Sequence, residues 1–167
     1  MLKHNLRESR RWLQLGLLAV VELLAMALWF SASSVTPALV AAWNLSESAA
    51  AWLTISVQLG FVAGALVSAV LNLPERIAPP RLMAVCAFVG AILNFVIAQV
   101  IDDEHERRGE GFVGAVGLRF WTGVMLAGVY PVGMKVMASW FSRGRGLAIG
   151  VLVGALTVGS ASPQRVP

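Results

Sequence analysis

Two charged residues, Glu22 and Arg119, each stand inside a long apolar stretch of this chain. An arginine near the centre of a membrane helix costs about 2.5–3.5 kcal/mol on insertion scales, so such residues usually face the protein interior or a water-filled path. A carboxylate in that setting can take up and release a proton or bind a cationic group, and a guanidinium nearby can tune it. Glu22 and Arg119 are therefore the first candidates for coupling chemistry.

Glu22 and Arg119 are predicted to lie at similar depths. Counted from Trp12, Glu22 lies about 15 Å from one edge of its apolar run, and Arg119 lies about 10–12 Å from the opposite edge, at 1.5 Å per residue. In a hydrocarbon core about 30 Å thick these depths nearly coincide. We expect the two side chains to face a shared cavity as an opposite-charge pair. Two interpretations stay open: coupling to a proton or substrate, and a structural bridge in which the charges only neutralise each other.

Trp29 and Ser33 follow Glu22 at spacings of seven and eleven residues and share its helical face. This stripe either lines a pore together with Glu22 or belongs to ordinary helix packing. The two histidines, His4 and His105, lie far apart and outside the apolar runs, and no nucleophile triad or phosphate-binding loop occurs. We therefore predict no metal, no cofactor and no enzymatic activity.

The composition is that of an integral membrane protein. Hydrophobic residues make up 57% of the 167 residues and charged residues 13%, whereas soluble domains are about 45–50% apolar and about 25% charged. The net charge of +4 does not indicate nucleic-acid binding, because the bases lie in short connections between apolar runs. The expected surroundings are a lipid bilayer.

Apolar runs long enough to cross a bilayer predict an all-α membrane bundle. About five spans are predicted, at 12–43, 50–73, 82–101, 112–137 and 146–163, after a basic flank at 1–11 and before a tail at 164–167. Lys and Arg fall mainly in the flank and in alternate connections, which places the N-terminus in the cytoplasm.

Glycines recur at four-residue spacing on several spans, which predicts smooth faces where helices approach closely. The predicted packing glycines are Gly60 and Gly64 on the second span, Gly123 and Gly128 on the fourth, and Gly146, Gly150 and Gly154 on the fifth.

Several of these features resemble the major facilitator superfamily of secondary transporters. Glu75-Arg76 and Arg81, after the second span, are similar to the acid and bases of that family's motif A, although the motif's glycines are missing. Arg119 followed by Gly123 reproduces the arginine-xxx-glycine core of motif B. The segment from Tyr130 to Gly150 resembles the family's fourth-to-fifth helix turn.

The resemblance covers about residues 12–163 and implies the N-terminal half of a twelve-helix transporter. In that architecture the first and fourth helices line the central cavity, which places Glu22, Arg119, Trp29 and Ser33 there. Glu75, Arg76 and Arg81 would form a cytoplasmic latch.

The implied function is secondary active transport of small solutes by alternating access, coupled to an ion such as a proton, in a bacterial inner membrane. Because alternating access needs two halves, we expect a truncated or frameshifted chain whose missing C-terminal half is a partner. The alternative is a membrane subunit that packs against a partner and does not transport.

Overall fold

The computed structural model describes residues 2–103, 110–140, 146–147, 149–151 and 153–154; side chains are described within 12–30, 37, 40–41, 43–99, 111–139 and the last three ranges. The helices are α1 (Leu2–Trp43), α2 (Glu47–Val70), α3 (Leu73–Arg76), α4 (Pro79–Asp103), α5 (Glu110–Leu126) and α6 (Tyr130–Trp140). The described residues contain no strand, so the predicted all-α class is confirmed.

Within the described residues, four helical stretches are long and apolar enough to cross a membrane. They are Trp12–Phe30, Glu47–Val70, Pro79–Gln99 and Gly111–Ser139. The backbone of the predicted basic flank at 1–11 is helical from Leu2 and continuous with the first span. Most of the predicted fifth span at 146–163, and the whole tail at 164–167, lie outside the described residues.

The connection before α2 shows why the chain turns there. Trp43 ends α1, and Asn44 takes a left-handed conformation with φ 51°, which asparagine tolerates better than most residues. The Ser46 hydroxyl then accepts a bond from the Ala49 N–H at 3.3 Å and caps α2.

The fourth predicted span, 112–137, is not one continuous helix. It divides into α5 and α6 around residues 127–129, where Gly128 and Val129 donate to the carbonyls three residues back, Met125 and Leu126. Pro131 explains the break, because proline has no N–H to donate and its ring crowds the preceding turn. The direction of α6 is therefore set separately from that of α5.

Helices α2 and α5 are in backbone contact along two glycines. A Cβ at Gly60 would overlap the carbonyl oxygen of Phe120, and one at Gly64 would lie 2.7 Å from that of Val124. On the other side, a Cβ at Gly123 would overlap the carbonyl oxygen of Val57. No other residue type leaves room for this approach.

The remaining predicted packing glycines behave differently. A Cβ at Gly128 would overlap the sulfur of Cys86 on α4, a side-chain contact. At Gly146, Gly150 and Gly154 an added Cβ meets no atom of the described residues within 4 Å. The packing role of these three stays a prediction.

Candidate functional site

Glu22 lies on α1 with its side chain fully buried, 0% exposed. Neither carboxylate oxygen has a hydrogen-bond partner among the described residues. The carboxylate lies against Gly133 of α6, where an added Cβ would overlap Oε1, and the Met83 methyl of α4 is 3.4 Å from that same point. Three helices therefore enclose an acid in surroundings that offer it no donor.

Arg119 lies on α5 and is 2% exposed. Its guanidinium donates to two successive carbonyls of α1, from Nη2 to Trp29 O at 2.7 Å and from Nη1 to Leu28 O at 3.3 Å. Its Nε donates to the Leu53 carbonyl of α2 at 3.5 Å. Backbone dipoles of two neighbouring helices thus solvate the positive charge.

Arg119 and Glu22 do not form the expected pair. Leu28 and Trp29, which Arg119 contacts, follow Glu22 by six and seven residues, or about 9–11 Å along α1. Helical side chains lean toward the N-terminus of their own helix, and α1 and α5 run in opposite directions across the predicted membrane. Glu22 therefore leans toward one membrane surface and Arg119 toward the other. The depths counted from the span edges did not take the lean of the side chains into account.

Asn94 joins this polar centre from α4. Its Nδ2 donates to the Leu28 carbonyl at 3.4 Å, so Leu28 accepts from both Arg119 and Asn94. The Ser56 hydroxyl donates to Leu53 O at 3.2 Å, the carbonyl that also accepts from Arg119 Nε. Sequence reasoning did not include Asn94 or Ser56 in the site; for Asn94, the signal was a lone amide inside an apolar span, which usually bonds between helices.

Trp29 takes part in this polar centre through its backbone carbonyl, whereas its ring packs against another helix. The indole packs edge-on against Phe61 of α2, with ring centroids 5.3 Å apart and an interplanar angle of 70°. The Ser33 side chain lies outside the described residues. For both residues the cavity-lining role stays a prediction.

The predicted latch residues lie at the end of the bundle where α2 connects to α4. Glu75 forms an ion pair with Lys135 of α6, Nζ to Oε1 3.3 Å, and both side chains are at least half exposed. Arg76 and Arg81 are exposed, and in the described part of the chain neither has an ion-pair partner.

Comparison with known proteins agrees with this architecture. The family model for the Major Facilitator Superfamily matches residues 18–162, a range that includes Glu22, Arg119 and the segment from α2 to α6. No curated protein and no solved structure matches the chain. The family match and four apolar helices of spanning length identify a transporter-type, multi-pass membrane protein, and the chain belongs to the major facilitator superfamily.

Proposed function

We propose that this chain is the N-terminal half of a secondary active transporter that moves small solutes by alternating access, coupled to protons through Glu22. In such transporters two repeats rock around a site near the bilayer midplane, so the proposed partner is a second half of the same transporter. The proposed location is a bacterial inner membrane, with the basic flank at 1–11 in the cytoplasm.

The observation that carries the proton-coupling proposal is the environment of the Glu22 carboxylate. Both oxygens are buried and lack a hydrogen-bond donor among the described residues. An ionised carboxylate without a partner is far more costly to bury than a neutral acid, so this packing tolerates the protonated form. Loss of the proton would favour an arrangement in which water or a cation reaches Glu22.

Helix α6 offers the movement that such an arrangement needs. Gly133 of α6 covers the Glu22 carboxylate, and α6 is separated from α5 by the break at 127–129. Rotation or tilting of α6 at this break would uncover Glu22 without disturbing the glycine contacts between α2 and α5. The protonation state of Glu22 and the position of α6 would then be coupled.

Arg119 has a positioning role in this proposal. Its bonds to the carbonyls of Leu28, Trp29 and Leu53 hold α1 and α2 against α5. A fixed α1 keeps Glu22 in place while α6, which carries Gly133, moves.

The test is solute-driven proton movement in liposomes that contain the full chain together with a second half of the transporter, and a pH-sensitive dye. A panel of small solutes is added to the wild type, and any solute that moves protons is repeated with Glu22→Gln and with Glu47→Gln. Glu47 is an exposed acid at the start of α2, so its variant removes the same charge outside the site. We expect Glu22→Gln to abolish proton movement and Glu47→Gln to retain it, with both variants inserted normally.

Proton movement that persists in Glu22→Gln would remove Glu22 from the coupling mechanism. Solute flux without proton movement in the wild type would contradict proton coupling but leave transport standing. If no solute crosses with the wild type and the second half together, the non-transporting subunit replaces the transporter as the proposed function.

A further inference from the structure

A second feature of the bundle, separate from Glu22, is an apolar cavity of about 430 Å³ between α2, α4 and α5. Its size falls within the roughly 300–1,000 Å³ of ligand-binding clefts. Among the described residues no charged side chain lines it, and the lining side chains with a polar or sulfur atom are those of Ser68, Cys86, Trp121 and Met125. Large apolar contacts come from Val67, Leu82 and Phe120.

The cavity is elongated along the helices. On α5 its lining runs from Phe120 to Met125, five residues or about 7.5 Å along the helix, and Gly128 lines it just after α5 ends. It extends from the middle of the fourth span to Leu73 and Leu82, at the end of the bundle where α3 lies. A long apolar slot parallel to the spans matches a hydrocarbon chain that enters from the same membrane surface.

Two arginines lie next to the end of this cavity near α3. Arg81 immediately precedes the lining residue Leu82, and Arg76 lies one turn after the lining residue Leu73 in α3. Both arginines are exposed, and among the described residues neither has an acidic partner. Glu75, the one acid in the connection between α2 and α4, is instead paired with Lys135.

We propose that this cavity binds one acyl chain of an anionic phospholipid, whose phosphate is held by Arg76 and Arg81. Guanidinium groups bind phosphate with two parallel hydrogen bonds, and basic pockets between membrane helices recognise anionic lipid headgroups. The charge selects the headgroup, and the apolar slot between α2, α4 and α5 holds the tail. This site does not depend on the proposed transport function.

Trp121 lines the cavity and supplies an optical probe for the tail. The full chain is reconstituted in mixed bilayers of phosphatidylcholine and phosphatidylglycerol, in which one or the other lipid carries bromines in its acyl chains. Bromine quenches indole fluorescence on contact. The signal from Trp121 is the part of the quenching that Trp121→Phe removes, which separates it from the other five tryptophans.

In the wild type, brominated phosphatidylglycerol should quench Trp121 with a relative binding constant about thirtyfold above that of brominated phosphatidylcholine, the scale expected for two arginines at an anionic surface. The variant Arg76→Gln/Arg81→Gln should abolish this preference. A matched control, Arg107→Gln/Arg108→Gln, removes two arginines that precede α5 in the sequence and should retain it.

A second variant tests the tail separately from the charge. Ala63→Phe places an aromatic ring in the cavity and keeps both arginines, so it should lower Trp121 quenching by both lipids. Equal quenching by the two lipids in the wild type, or a preference that survives Arg76→Gln/Arg81→Gln, would overturn the anionic headgroup. Unchanged quenching in a folded Ala63→Phe protein would overturn the acyl-chain site.

Discussion

The backbone of Gly133 on α6 faces the carboxylate of Glu22 on α1 so closely that a methyl group at position 133 would overlap Oε1. The contact joins a fully buried acid to the short helix that follows the break at 127–129. Only a hydrogen atom fits between the α6 backbone and the carboxylate. The available space therefore explains why position 133 is glycine, independently of backbone conformation.

Gly133→Ala should therefore destabilise the protein, although alanine is the better helix former. Overpacking of this kind costs about 1–3 kcal/mol, measured as a loss in the free energy of unfolding in detergent. Gly114→Ala is the matched control on α5, since a Cβ there meets no described atom within 4 Å. Equal stabilities of the two alanine variants would contradict the close contact.

Truncating the Glu22 side chain should reduce the loss of stability that Gly133→Ala causes. Glu22→Ala removes the group that the new methyl overlaps, so the double variant should lose less stability than the sum of the two single changes. Residues in contact show coupling energies of about 0.5–3 kcal/mol in such cycles. An additive cycle would mean that α6 and Glu22 do not touch in the folded protein.

The glycines between α2 and α5 should tolerate substitution less than Gly128 does. A Cβ at Gly60 meets the backbone of Phe120, which cannot turn aside, whereas a Cβ at Gly128 meets the sulfur of Cys86, which can rotate. Gly60→Ala should abolish the folded protein in detergent, judged by yield and a monodisperse elution profile. Gly128→Ala should fold with reduced stability, and Cys86→Ala should restore part of the loss.

Arg119→Lys should destabilise the bundle although it keeps the charge. Lysine carries a compact charge and lacks the planar fork that reaches the carbonyls of Leu28, Trp29 and Leu53 together. The loss of one or two such charge-assisted bonds should cost about 1.5–3 kcal/mol in the free energy of unfolding. Arg81→Lys, at an exposed position, should change stability by less than about 0.5 kcal/mol.

The ion pair between Glu75 and Lys135 should contribute little to stability by itself. Both side chains are at least half exposed, and pairs of this kind contribute about 0–1 kcal/mol because solvent and salt screen them. A double-mutant cycle with Glu75→Gln and Lys135→Gln should give a coupling energy in that range, falling at high salt. A coupling above about 2 kcal/mol would show that α3 holds α6 more firmly than their exposure indicates.

The class of the protein follows from composition and run length alone. Apolar runs of spanning length predict helices because a bilayer leaves no other way to satisfy most backbone polar groups, and four such stretches occur among the described residues. The burial of Glu22 and Arg119 was equally foreseeable, since the energetic cost of a charge in lipid is a property of the residue. Gly60 and Gly64 marked a close helix contact by spacing alone.

Which groups meet was decided only by the tertiary structure. Helical periodicity predicts that Glu22 faces inward. The residue that Glu22 contacts depends on helix tilt, on the direction in which side chains lean and on where a helix breaks. Because of these three factors, Arg119 bonds to the carbonyls of Leu28 and Trp29, the fourth span divides into α5 and α6, and Gly133 covers Glu22. A linear pattern records the faces of single helices, whereas contacts arise from their relative placement in three dimensions.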